Sequence, residues 1–163
     1  IILRKRGTAQ AAKRAGRSTK QGVTGSYIHP GGSVGVLVEI NCESDFVART
    51  DDFKTLVKEI AMHIAASSPT YVRVEDIPVE VIEREKDIFR SQLEGSNKPA
   101  QIIDKILDGK INSYYGQVVL LKQPSIRDPK TTVTDLVAAT IAKVGENISI
   151  ARFARFKVGE VDK

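Results

Sequence analysis

The sequence predicts an α+β domain: a small three-stranded antiparallel sheet packed with helices, interrupted by a helical-pair insertion. Three observations carry that expectation. Strand-like runs at about 23–29, 33–41 and 148–158 come from well-separated parts of the chain. Between them lie segments with the 3, 4, 7, 8 apolar spacing of one buried helix face. Two prolines, Pro78 and Pro99, each stand at the head of a further helical segment. The expected organisation is a basic helix and linker over 1–21, an N-terminal part of the core over 22–78, the helical pair over 79–122, and a C-terminal part of the core over 123–163. No period of 20–50 residues repeats, which excludes a solenoid.

Taken in order, residues 3–16 read as a short basic helix, favoured by Ala9, Ala11, Ala12 and Ala15 and ended by Gly16. A hairpin signal follows: "VTGSYIH", then Pro30-Gly31-Gly32-Ser33, then "VGVLVEI". In the second run Val34, Val36, Val38 and Ile40 share one face, and Gly35, Leu37 and Glu39 share the other. Residues 52–66 give the cleanest helix, with Phe53, Leu56, Val57, Ile60, Ala61 and Ile64 as its stripe. Thr50 or Asp51 can cap it, and Ser67-Ser68-Pro69 ends it.

At about 100° per residue, Met62 falls opposite the centre of that stripe and His63 on its flank. Such a pair suits a protein-binding face or a second packing layer. Pro78 opens a charge-dense helix running to Gly95, anchored by Ile82, Phe89 and Leu93. Pro99 opens a second, striped by Ile102, Ile103, Ile106, Leu107 and Ile111. The two resemble an antiparallel arm that protrudes or packs across a dimer. A last helix spans about 131–144, with Gly145 as its stop. In "NISIARFARFKV" the alternation breaks between Ile150 and Phe153, the mark of a bulge or of a strand buried on both faces.

The chain has 163 residues, 41% apolar and 28% charged, enough to bury a core without a metal or disulfide staple. Its one cysteine, Cys42, favours a reducing compartment, and the expected location is the cytoplasm, or an organelle matrix if the source is eukaryotic. Apolar runs are far too short to span a membrane. The net charge of +5 is uneven. Residues 1–22 hold Arg4, Lys5, Arg6, Lys13, Arg14, Arg17 and Lys20 and no acid, while the rest of the chain holds 18 basic and 20 acidic residues. That segment is either a solvated helix face or a contact for phosphates or an acidic surface. It motivates one alternative function, an RNA- or ribosome-binding module. No aromatic platform interleaves its charges, as single-stranded recognition needs, so nucleic acid is not the expected partner.

Enzyme constellations are absent. There is no phosphate-binding GxxxxGK[ST] or GxGxxG pattern. Two histidines, His29 and His63, and one cysteine are too few for a usual zinc site. A nucleophile pair of Cys42 with either histidine has no orienting group, and Glu43 and Asp45 beside Cys42 would raise its pKa. Those two carboxylates would bind a metal weakly. No catalytic residue, metal or cofactor is expected.

The stretch "NCESDFVA", followed by "DDFKTLVKEIAMHIAA", resembles translation elongation factor Ts. The resemblance extends from "LRKRGTAQAAKRAGR" through "YIHPGGSVGVLVEINCESDFVAR" to "IAKVGENISIARFARFKVGE". The helical pair with Lys98-Pro99 and "LLKQP" is similar to the short bacterial form, thought to act as a dimer. The family usually opens with a small three-helix domain, and this chain matches from where that domain would end. Part of the family's binding surface is therefore expected outside these residues. Where the family usually has threonine, Ser44 keeps the hydroxyl.

The resemblance implies a guanine-nucleotide exchange factor for elongation factor Tu. In it, Ser44, Asp45, Phe46 and Val47 would press toward the GTPase's magnesium site, with Phe46 as a wedge between the partner's helices. Ala48, Met62, His63 and Arg4 would add further contacts. Without the resemblance, the local sequence favours Phe46 as a plug in its own core over an outward wedge.

Overall fold

A computed structural model of the chain describes the backbone of residues 2–161 and the side chains of residues 5–161. The elements run α1 (Ile2–Arg14), β1 (Gln21–Ile28), β2 (Val34–Cys42), α2 (Asp45–Ala48), α3 (Asp51–Ser67), α4 (Val79–Leu93), α5 (Ala100–Val118), α6 (Val133–Val144) and β3 (Ile148–Lys157). They fall into two compact units: residues 1–68 with 124–163, and residues 69–123.

The first unit holds the sheet, in the order β1-β2-β3, with both pairings antiparallel. The α+β expectation is met. The central strand alternates as its sequence does: Val36, Val38, Ile40 and Cys42 are buried, while Leu37 between them is exposed. Helix α3 packs on β1 and β2 and also meets α6. Its stripe of Phe53, Leu56, Val57, Ile60, Ala61 and Ile64 is wholly buried and, with Ile148 and Ile150 of β3 and Val133, Val137, Ala138 and Ile141 of α6, makes up the core. Contact between α3 and the sheet depends on Gly25. A Cβ there would stand 2.2 Å from Val57 Cγ1, so only glycine lets the helix lie this close.

Helix boundaries follow local chemistry. Thr50 caps α3 by accepting from Phe53 N at 3.3 Å. At the far end Ser68 takes the left-handed conformation, φ 46°, and its N–H donates to Ile64 O. Helix α6 opens on a complete capping box: Thr132 Oγ1 accepts from Asp135 N at 3.3 Å, and Thr132 N donates to Asp135 Oδ2 at 2.9 Å. It closes on Gly145 at φ 77°. Helix α1 lies against α6.

The irregularity expected in the last strand is a bulge at Ala151. Ile40 pairs with Ile150 and Glu39 with Arg152, leaving Ala151 unpaired. One extra residue turns Phe153 to the same face as Ile150, three positions away. It also sends Arg152 outward, where its Nε donates to Glu39 Oε2 at 2.8 Å.

The second unit is the helical pair with its flanking turns. Pro78 and Pro99 stand at the N-caps of α4 and α5. A parallel bridge joins Tyr71 to Val119. Lys110 reaches from α5 over the Phe89 ring, 5.2 Å from its centre, and donates to Gln92. Helix α4 has no buried residue at all, and Val79, Ile88 and Ile102 are exposed. Among the described residues no helix is long and apolar enough to cross a membrane.

Candidate functional site

Between β2 and α3 the chain makes a single helical turn, α2. Its local cause is Ser44, held in extended conformation (φ −127°, ψ 153°), whose Oγ accepts from Val47 N at 3.3 Å. Six residues on, Thr50 donates its hydroxyl to Val47 O at 2.7 Å while capping α3. The short helix is therefore hydrogen-bonded at both ends. A helix rotates about 100° per residue, so one turn presents two sides. Val47 and Ala48 point inward and are buried, whereas Asp45 and Phe46 point out. Phe46 is 78% exposed. It is not the core plug; Phe53, 0% exposed, fills that role.

The acidic residues of this stretch do not act as a pair. Asp45 Oδ2 meets Arg49 NH2 at 2.6 Å, an exposed i,i+4 ion pair. Glu43 turns the other way, accepting from Asn147 N at 2.8 Å with Arg17 NH1 at 3.6 Å. Arg17, one of the seven basic residues of the N-terminal segment, thus faces a carboxylate of the chain itself.

The residue between them is held from α6's end. Ser44 N donates to Glu146 Oε1 at 3.0 Å, and Ser44 Oγ donates to Glu146 Oε2 at 2.7 Å. Asn147 Nδ2 donates to Arg17 O at 2.9 Å and to Ala15 O at 3.4 Å. Nothing local in the sequence signals Glu146 and Asn147. The only hint is that they follow the helix stop at Gly145.

Cys42 is fully buried, and its thiol donates to Ser44 O at 3.1 Å. Burial pushes the thiol up from its ordinary value, helped by the Glu146 charge and, less, by Asp45. The direction matches the sequence reading. The sources differ, because Glu43 turns away toward Asn147 and Glu146 takes its place. His29 cannot serve Cys42. In the β1–β2 register Gln21 faces Cys42 and Ile28 faces Gly35, which puts His29 at the other end of the sheet, on the order of 20 Å away. His29 Nδ1 instead hydrogen-bonds Tyr27 Oη at 3.0 Å. Among the described residues, no group of three or more His, Cys, Asp and Glu is placed to hold a metal.

The remaining expected contacts sort by exposure. Met62 is half-buried on α3, on the order of 16 Å along the helix from its start and so apart from the Phe46 turn. His63 is only 1% exposed, which corrects its placement as a surface contact. A single buried stripe does not describe the last turns of α3, which are covered on most sides: Ile60, Ala61, Ile64 and Ala65 are all buried around His63. Val47 and Ala48 are likewise inward-facing, so they seat the turn rather than present it. The Arg4 side chain lies outside the described residues; its backbone is in α1.

The family model "Elongation factor TS" matches residues 7–160. Among curated proteins, elongation factor Ts of Koribacter versatilis is 57% identical over 161 residues, covering 99% of this chain and 74% of that protein. The protein of the same name from Solibacter usitatus is 55% identical over 98% of this chain and 76% of its own length. That from Fervidobacterium nodosum is 55% identical, over 98% and 81% respectively.

Proposed function

Because the chain belongs to the elongation factor Ts family of translation elongation factors, we propose that it is a guanine-nucleotide exchange factor for elongation factor Tu. It promotes GDP release during the elongation cycle by disturbing the GTPase's magnesium and phosphate site. The observation that carries this reading is Phe46: a large apolar ring, 78% exposed, on a turn capped at both ends. An aromatic held outward in one geometry is what a hot-spot anchor requires, because little side-chain or loop freedom is lost on docking.

GDP in such GTPases is held by backbone N–H groups and by a magnesium ion bridging phosphate oxygens. Phe46 enters between helices of the partner and displaces the segment that carries the metal contacts. Asp45 enters beside it as a carboxylate. Its present partner, Arg49, forms only an exposed ion pair, which exchanges at little cost. Ser44, Val47 and Ala48 hold the turn, and Met62 and Arg4 supply further contacts. No bond in the nucleotide is made or broken, so the protein is no enzyme in the chemical sense. It speeds release and leaves the final GTP/GDP ratio to the nucleotide pool.

In the same reading the α4–α5 pair, with its exposed Val79, Ile88 and Ile102, is an arm for a second copy of the chain, and the protein acts in the cytoplasm. Reciprocity tests the exchange role. Factor and GDP must weaken each other's binding to the GTPase by one common factor. Adding GDP to the preformed complex of chain and nucleotide-free elongation factor Tu should dissociate it. Measured by calorimetry, the loss of GDP affinity caused by the chain should equal the loss of chain affinity caused by GDP. Independent binding of the two would contradict the proposal.

A further inference from the structure

We propose that Glu146 is a positioning residue for the Phe46 turn: by holding Ser44 it presets the direction in which the ring is presented to the GTPase. The inference rests on the reading that Phe46 is the anchor, and it concerns a residue in another part of the chain. A four-residue helix cannot hold itself. Nucleation fixes several backbone angles for very few bonds, and those closing α2 are Ala48 N to Ser44 O and Arg49 N to Phe46 O, each at 3.3 Å, and Thr50 N to Val47 O at 3.0 Å. Its caps must supply the rest.

In a complete capping box the third helical residue is a Glu, Gln or Asp whose side chain accepts from the N-cap N–H, as Asp135 does for Thr132 in α6. In α2 that position is Val47, which has no acceptor to offer. Glu146 supplies the missing carboxylate across 102 residues of sequence, with Oε1 on Ser44 N and Oε2 on Ser44 Oγ. The hydroxyl's proton is thereby committed to Glu146, which leaves its lone pairs free to accept from Val47 N.

The next residue repeats the arrangement in reverse. Asn147 N donates to the Glu43 carboxylate, so residues 43–44 and 146–147 bracket each other with one carboxylate from each side. Asn147 also ties in the end of α1 through Ala15 O and Arg17 O. Gly145, at φ 77°, turns the chain out of α6 just before the pair. Hydrogen bonds to a carboxylate are among the stronger ones, and two converge here on a single residue. The bracket therefore removes in advance the disorder that docking would otherwise have to overcome.

The test compares four variants of the full chain in stimulated GDP release from elongation factor Tu, in thermal melting, and in amide hydrogen exchange at Val47 and Ala48. Glu146→Ala should slow stimulated release about tenfold, the loss expected when charge-assisted hydrogen bonds are removed. Exchange at the Val47 and Ala48 amides, which donate to Ser44, should rise about tenfold or more as the turn opens locally. Glu146→Gln keeps one acceptor for Ser44 N and should show the same changes at about threefold, serving as the test if the alanine variant fails to melt cooperatively.

The deciding readout is the double variant. If Glu146 acts through the ring, Phe46→Ala with Glu146→Ala releases no more slowly than Phe46→Ala alone. Slow release in Phe46→Ala with native release in both Glu146 variants overturns the positioning role and leaves the anchor reading standing, as do fully multiplicative losses in the double variant. Native release in Phe46→Ala overturns the anchor reading and this inference with it.

Discussion

Phe46→Ala is expected to slow the stimulated release of GDP from elongation factor Tu by about thirtyfold, the equivalent of roughly 2 kcal/mol for a buried aromatic anchor. The melting temperature should stay within about 2 °C of native, because exposed side chains away from special features change stability by at most about 0.5 kcal/mol. The two halves of the prediction have one cause. The ring is 78% exposed, so the folded chain alone gains almost nothing from it. Its apolar area is available to be removed from water only when a partner closes over it. Stopped-flow release of a fluorescent GDP, with circular dichroism melting of the same sample, checks both. A large fall in melting temperature would return the ring to the core and leave no anchor.

The opposite pattern is expected seven residues later. Phe53 is 0% exposed and lies in the first turn of α3, which packs on β1 and β2 and meets α6. Phe53→Ala removes that buried ring and leaves a cavity. Changes of this kind cost about 3–5 kcal/mol, which for a chain of this length lowers the melting temperature by roughly 10 °C or more. At a temperature where the variant is still folded, stimulated release should fall far less than in Phe46→Ala, because α2 keeps its own caps and its bracket. Melting and release measured together on the two variants should show this crossing. Equal losses of stability in both would contradict the division of labour between the two phenylalanines.

Much of this was legible in the sequence because its causes are local. The α3 stripe, the Thr50 cap, the Gly145 stop and the prolines at α4 and α5 are each decided within a few residues. The bulge was legible from parity: Ile150 and Phe153 cannot share a face of a regular strand, and Ala151 is the residue that resolves the conflict. Helix α2 was not legible, since four residues carry no periodicity; its one trace is a serine three residues before Val47 N. His63 misled because a stripe calculation assumes one covered face, whereas the end of α3 is covered on several. Glu146 was invisible for a different reason. Its role exists only once folding brings residue 146 to residue 44, and at sequence level it is an ordinary polar residue after a helix. On local grounds Phe46 leaned toward the core, because most phenylalanines are buried in their own domain, and its exposure overturns that placement.

The central claim is that this outward-facing aromatic turn loosens GDP from a GTPase. Elongation factor Tu loaded with fluorescent GDP, chased with excess unlabelled GDP, should lose its label many times faster when a small fraction of an equivalent of this chain is added. The rate should rise with the amount of chain, as expected of a factor that is released and reused. An unchanged rate at every concentration, with the chain folded throughout, would contradict the account.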